Sequence, residues 1–110
     1  MADRQSDWDI GVEDLKQLRD AGDDFFLLDV REPHEVERAT LGGTNIPLAG
    51  VAAALDDIPK DRKIVVHCKL GGRSAKAVTA LRQLGYDDVW NVQGGIQAWS
   101  ERIDSSLPTY

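Results

Sequence analysis

Of 110 residues only one, Cys68, is a cysteine, which rules out an internal disulfide. A useful lone thiol suits a reducing compartment, so the expected location is the cytoplasm. No apolar run approaches the ~20 residues needed to cross a bilayer. The opening stretch, Met1 to Asp7, is polar and lacks the apolar segment of a secretory signal. Positive charge is also short: 13 Lys and Arg stand against 19 Asp and Glu, a net charge of −6 with no basic cluster. That balance disfavours nucleic acid and anionic membranes as partners. Repeats and low-complexity tracts are absent. The two histidines, His34 and His67, do not combine with Cys68 at zinc-site spacing, so no metal is expected. At this length, with 42% hydrophobic residues, the chain reads as one globular domain with a core of its own.

The most informative stretch is Lys63-Ile64-Val65-Val66-His67-Cys68-Lys69-Leu70-Gly71-Gly72-Arg73-Ser74. Ile64 to Val66 reads as a strand buried on both faces. From Ser74 to Leu84 the spacing predicts a helix with Ala77, Val78, Leu81 and Leu84 on one side. Cys68 therefore lies where a central strand gives way to a helix, on a short glycine-bearing loop. Such a loop can turn backbone N–H groups towards one point, and the helix N-terminus adds roughly half a positive charge there. A thiolate, the reactive form of cysteine, is favoured in that field. Lys69 and Arg73 add formal charge if their side chains fold back. The alternative, a small core residue, is the usual fate of a free cysteine, and the strand–Cys–Gly-Gly–Arg–helix context argues against it.

The remaining pattern alternates strands and helices. Residues 1–7 read as a disordered lead-in and 8–110 as the domain. Trp8 to Ile10 predicts a strand, Gly11 an N-cap and Val12 to Gly22 a helix with acidic Glu13 and Asp14 in its first turn. Phe25 to Val30 reads as a second central strand, Pro33 to Arg38 as a short helix with proline at N1, and Asn45-Ile46 as a short strand stopped by Pro47. The alanine-rich Val51 to Leu55 reads as helical, Asp88 to Val92 as a last strand, and Ile96 to Ile103 as a closing helix with Trp99 in the core. This order implies an α/β fold: a central five-stranded parallel sheet with helices on both faces. Sites in such folds gather at the carboxyl ends of strands, where Cys68 and Asp29-Val30-Arg31 both fall.

Other candidates have plainer readings beside the functional ones. Asp29 reads first as a turn or helix cap and second as a site residue. Arg31 either reaches the site or pairs with Glu32 or Glu35 on the surface. His67 precedes Cys68 on a strand, so its side chain should face the other way, which argues against a Cys–His pair. His34 reads as a surface residue. Gly94-Gly95 lacks the Lys-Ser/Thr of a phosphate loop and reads as close backbone approach.

Taken together the motifs resemble the rhodanese family of sulfurtransferases. Leu27-Leu28-Asp29-Val30-Arg31-Glu32-Pro33-His34-Glu35 is similar to its first signature, followed by Asn45-Ile46-Pro47-Leu48. Val66-His67-Cys68 through Gly72-Arg73-Ser74 is similar to the active loop, and Val92-Gln93-Gly94-Gly95-Ile96-Gln97-Ala98-Trp99 to the closing signature. The histidine common before the Asn-Ile-Pro segment is missing, since Arg38 to Gly43 stands there. The resemblance implies a persulfide on Cys68, held by the N–H groups of 69–73. Lys69, Leu70, Gly71, Gly72, Arg73 and Ser74 then form the substrate loop, and Asp29 and Arg31 lie in support. It implies a donor such as thiosulfate, no cofactor, and as partners a sulfur-carrier protein or a cysteine desulfurase. The ending, Asp104 to Tyr110, is similar to the tail of rhodanese domains fused to adenylyltransferases that serve sulfur carriers. A non-catalytic interaction module and a Cys-x-Arg loop phosphatase are the alternatives. A thiol redox protein is a third, and it lacks a resolving cysteine.

Overall fold

The computed structural model describes residues 4–110. Of the expected lead-in, residues 1–3 lie outside the described residues. Further on, Gln5 donates from Nε2 to the Leu70 carbonyl at 2.7 Å and accepts from the Gly94 N–H at 2.9 Å.

Five strands form one sheet: β1 (Asp9–Ile10), β2 (Phe25–Asp29), β3 (Thr44–Asn45), β4 (Lys63–His67) and β5 (Val89–Val92). Their order is β1-β5-β4-β2-β3 and every pairing is parallel. The helices are α1 (Val12–Asp20), α2 (Pro33–Val36), α3 (Gly72–Gln83) and α4 (Gly95–Arg102). This is the expected architecture. β4 is central because Ile64, Val65 and Val66 offer apolar surface to both sides. Ile64 and Val66 pack with Ala77, Val78 and Leu81 of α3, while Val65 packs with Val12 and Leu15 of α1 and Ile96 and Trp99 of α4. Among the described residues no helix is long and apolar enough to cross a membrane.

Three expectations need correction. Val51 to Leu55 is not an α-helix: single 3₁₀ turns at Leu48–Gly50 and Leu55–Asp57 flank a turn. Five residues are too few to offset the cost of nucleating an α-helix, whatever their alanine content. Leu84 does not join the buried face of α3; it lies past the last helical residue and is 46% exposed. The helix begun by Pro33 ends at Val36 rather than Arg38, the Glu35 carbonyl accepting from both Arg38 and Ala39 as the turn closes.

Candidate active site

Cys68 directly follows β4, and α3 begins four residues later. The carbonyls between them are all engaged elsewhere. Those of Cys68 and Lys69 accept from Ile96 N and Gln97 N in the first turn of α4, at 2.9 and 3.0 Å. The Leu70 carbonyl accepts from Gln5, and that of Gly71 from Ala75 N at 3.1 Å. α4 can come this close only because residue 95 has no side chain. A Cβ there would lie 2.4 Å from the Lys69 oxygen and 2.5 Å from the Cys68 oxygen, and φ is +60°. The plain reading of Gly94-Gly95 is thus the observed one.

With the carbonyls held away, N–H groups face the sulfur. Cys68 Sγ, in a residue only 1% exposed, accepts from Gly71 N at 3.1 Å and Ser74 N at 3.4 Å. Within the 69–73 span expected to supply donors, Gly71 alone hydrogen-bonds Sγ; the second amide belongs to Ser74. Gly71 achieves this at φ +108°, a left-handed conformation suited to glycine. The positive end of α3 points at the same sulfur.

The two nearby cations are not folded over the sulfur. The Arg73 guanidinium grips Glu35 with Nη1–Oε1 2.6 Å and Nη2–Oε2 2.9 Å. This bond above all holds the Glu35 carboxyl down to about 2 and pushes Arg73 upward. Lys69 Nζ sits 4.6 Å from the centre of the Tyr110 ring. Leu70 stands at the tip of the loop, 57% exposed.

Asp29 and Arg31 form a buried pair. Arg31 is 0% exposed, so a surface pairing with Glu32 or Glu35 is overturned. Its Nη2 lies 2.7 Å and its Nε 2.9 Å from the Asp29 oxygens, and the backbone N of Arg31 also donates to Oδ1. Further bonds run to the carbonyls of Glu35 and Ala39 and to Tyr110 Oη, and none to the Cys68 loop. Burial opposes the charge of Arg31, yet Asp29 and Tyr110 together outweigh it and the guanidinium is held firmly protonated. His67 faces away from the sulfur side, Nε2 3.7 Å from Asp29 Oδ2, and burial presses its pKa down. His34 is exposed.

Tyr110 and Glu35 on one side of the loop, and Asn91 and Asp9 on the other, were not among the expected site residues. Tyr110 Oη donates to Glu35 Oε2 at 2.8 Å and accepts from Arg31 Nη1 at 2.8 Å, joining the Asp29–Arg31 pair to the Glu35–Arg73 pair. On the other side, Ser74 Oγ lies 3.4 Å from Sγ and 2.5 Å from Asn91 Oδ1, and Asn91 Nδ2 donates to Asp9 Oδ1 at 2.9 Å. The signals were a polar residue inside an apolar strand, Asn91, and a buried carboxylate, Glu35, on a short helix at a strand end.

Comparison with known proteins agrees with this arrangement. A protein named "Sulfurtransferase" from Allochromatium vinosum is 36% identical over 93 residues, 84% of this chain and 87% of its own. "Probable adenylyltransferase/sulfurtransferase MoeZ" of Mycobacterium tuberculosis is 33% identical over 88% of this chain. The chain spans only 26% of MoeZ, and 40% of another long relative. The crystal structure of a rhodanese-related protein from Thermoplasma volcanium superposes with a TM-score of 0.79 at 36% identity, covering 87% of this chain and 93% of that one. The rhodanese-like domain profile matches residues 11–102, from the cap of α1 to the end of α4. With the Cys68 loop, the helix α4 that anchors it and four of the five strands inside that span, the chain belongs to the rhodanese-like domain family.

Proposed function

We propose that the protein is a sulfurtransferase that carries sulfane sulfur on Cys68. The observation that supports this best is the surrounding of Sγ: two backbone N–H groups and a helix N-terminus, with no imidazole on the same side. Such donors stabilise negative charge that develops on the sulfur atoms they face, without a general base. The Cys68 thiolate attacks the outer sulfur of thiosulfate, forming an S–S bond as sulfite leaves with the electron pair of the broken one. A thiophilic acceptor, such as a thiolate or cyanide, then attacks the outer sulfur of the persulfide, and the Cys68 thiolate leaves. The chemistry is ping-pong and draws on no metal or organic cofactor. A small sulfur-carrier protein or a cysteine desulfurase is the proposed physiological partner, and the cytoplasm the proposed location.

Phosphate chemistry fits less well. Four residues separate Cys68 from Arg73, one fewer than in the related phosphatase loops. The Arg73 fork is occupied by Glu35 rather than offered to a bidentate oxyanion.

Because Cys68 is the only thiol, intact mass reads the reaction directly. Thiosulfate should add one sulfur, about 32 mass units, which dithiothreitol removes, following thiolate attack. Cys68→Ser should abolish both the adduct and thiocyanate formation. Turnover surviving in that variant, or no adduct in the unaltered protein, would remove the covalent mechanism.

A further inference from the structure

The hydrogen bonds beyond Cys68 have a direction, and it can be read from Asp9 inwards. Asp9 Oδ2 accepts from the backbone N–H groups of Gln5 and Ser6, at 2.7 and 3.2 Å. Asp9 Oδ1 accepts from Ser6 Oγ at 2.8 Å and from Asn91 at 2.9 Å. Burial works to raise the Asp9 carboxyl, but these donors outweigh it and hold it ionised. A carboxylate can only accept, so Asn91 must turn its NH₂ to Asp9 and its Oδ1 to Ser74. That oxygen, also acceptor-only, lies 2.5 Å from Ser74 Oγ, so the hydroxyl proton has to sit between them. A serine hydroxyl has one proton. None remains for Cys68, and the face of Ser74 turned to Sγ at 3.4 Å is a lone pair.

We propose that Asn91, oriented by Asp9, is a positioning residue that makes Ser74 a proton acceptor towards Cys68, so the relay favours the empty thiol over the empty thiolate. The amides of Gly71 and Ser74 act in the opposite sense. Once sulfur is loaded, Sγ carries no proton and the negative charge sits on the outer sulfur, so the relay penalises only the unloaded thiolate. Release that leaves Cys68 as a bare thiolate is thereby disfavoured, while release to the thiol is not; this consequence, unlike the hydrogen-bond relay itself, rests on the sulfurtransferase reading. The other charged groups around the loop are paired or face elsewhere: Arg73 of α3 with Glu35 of α2, Lys69 against Tyr110, and His67 of β4 towards Asp29.

The test reverses the relay. In Asp9→Asn, the oxygen must stay where two backbone N–H groups are accepted, so the new NH₂ faces Asn91. Asn91 then flips, donates to Ser74, and frees the Ser74 proton for Cys68. The pH midpoint of thiolate ultraviolet absorbance, with Cys68→Ser subtracted, should fall by about one unit in Asp9→Asn, the scale of one hydrogen bond to a charged group. Ser74→Ala should leave the midpoint unchanged or lower it, and in Asp9→Asn/Ser74→Ala the downward shift caused by Asp9→Asn should vanish. General loosening of the fold would move these midpoints regardless of Ser74. A midpoint that rises in Ser74→Ala, or stays put in Asp9→Asn, would overturn the assignment. No sulfur donor is used, so a failure of persulfide formation registers separately in the mass experiment.

Discussion

Arg31 illustrates how a residue's environment decides its role. Its guanidinium is fully enclosed, and six hydrogen bonds run from it to Asp29, two carbonyls and a tyrosine. Removing Asp29 leaves that charge buried without its counter-ion, and such losses cost about 3–5 kcal/mol. Asp29→Ala should therefore lower the urea midpoint sharply. Replacing both members by apolar residues should cost less than the sum of the single changes, because no orphan charge remains. A double-mutant cycle measures the difference, and additivity would show that the pair is not coupled. The pairing was half legible beforehand: positions two apart on an extended chain share a face, so Asp29 and Arg31 were placed to meet. What was not legible was the depth, because charged side chains are almost never fully enclosed unless paired, and the pairing itself was not foreseen. Glu35 was hidden for another reason, since its partners Arg73 and Tyr110 lie 38 and 75 positions away.

Between elements, the decisive contact is that of α4 with the Cys68 loop. Gly95 and Gly22 have nearly the same backbone, φ +60° and +68°, but a Cβ at Gly22 meets nothing within 4 Å. Gly22→Ala should cost only the left-handed strain, about 1–2 kcal/mol. Gly95→Ala adds a clash with two carbonyl oxygens and should cost distinctly more, while also displacing the loop. Urea unfolding compares the two variants, and thiosulfate kinetics should deteriorate in Gly95→Ala alone. Equal costs would mean that α4 does not brace the loop. Strand and helix positions were readable from periodicity because the apolar faces of β4 and α3 are long and regular. Leu84 misled because it keeps the helical spacing one residue past Gln83, where α3 ends and the chain turns away at Gly85, φ +98°. No periodicity reports on a carbonyl–amide contact between a loop and a distant helix, so the anchoring by Ile96 and Gln97 was out of reach.

For the whole molecule the same groups set the response to acid. His67 is pressed below its ordinary value by burial, so below about pH 6.5 the unfolded chain takes up a proton that the folded chain resists, and stability falls. Glu35, depressed to about 2, contributes stability that is complete above its unfolded value near 4.5 and is lost as the pH falls towards 2. Asp9 and Asp88, also lowered, add to the second stage. Urea midpoints should thus be level near neutrality, decline gently below about pH 6.5 and steeply below about 4.5. Glu35→Gln should flatten the lower limb and leave the upper one in place. An unaltered lower limb in that variant would show that the Arg73–Glu35 pair contributes no net stability.

The engaged carbonyls of residues 68–71 bear on how the site responds to a moving charge. Their four acceptors are held by Gln5, by α3 and by α4, three separate parts of the chain. A peptide unit whose oxygen is tied cannot rotate its N–H without breaking that tie. In the proposed persulfide cycle charge would pass from the inner sulfur to the outer one, and the surrounding dipoles have little room to reorient as it does. Water around a free thiolate would have to rearrange at every such step; here the alignment is completed once, during folding, and the reorganisation energy of each transfer is correspondingly small.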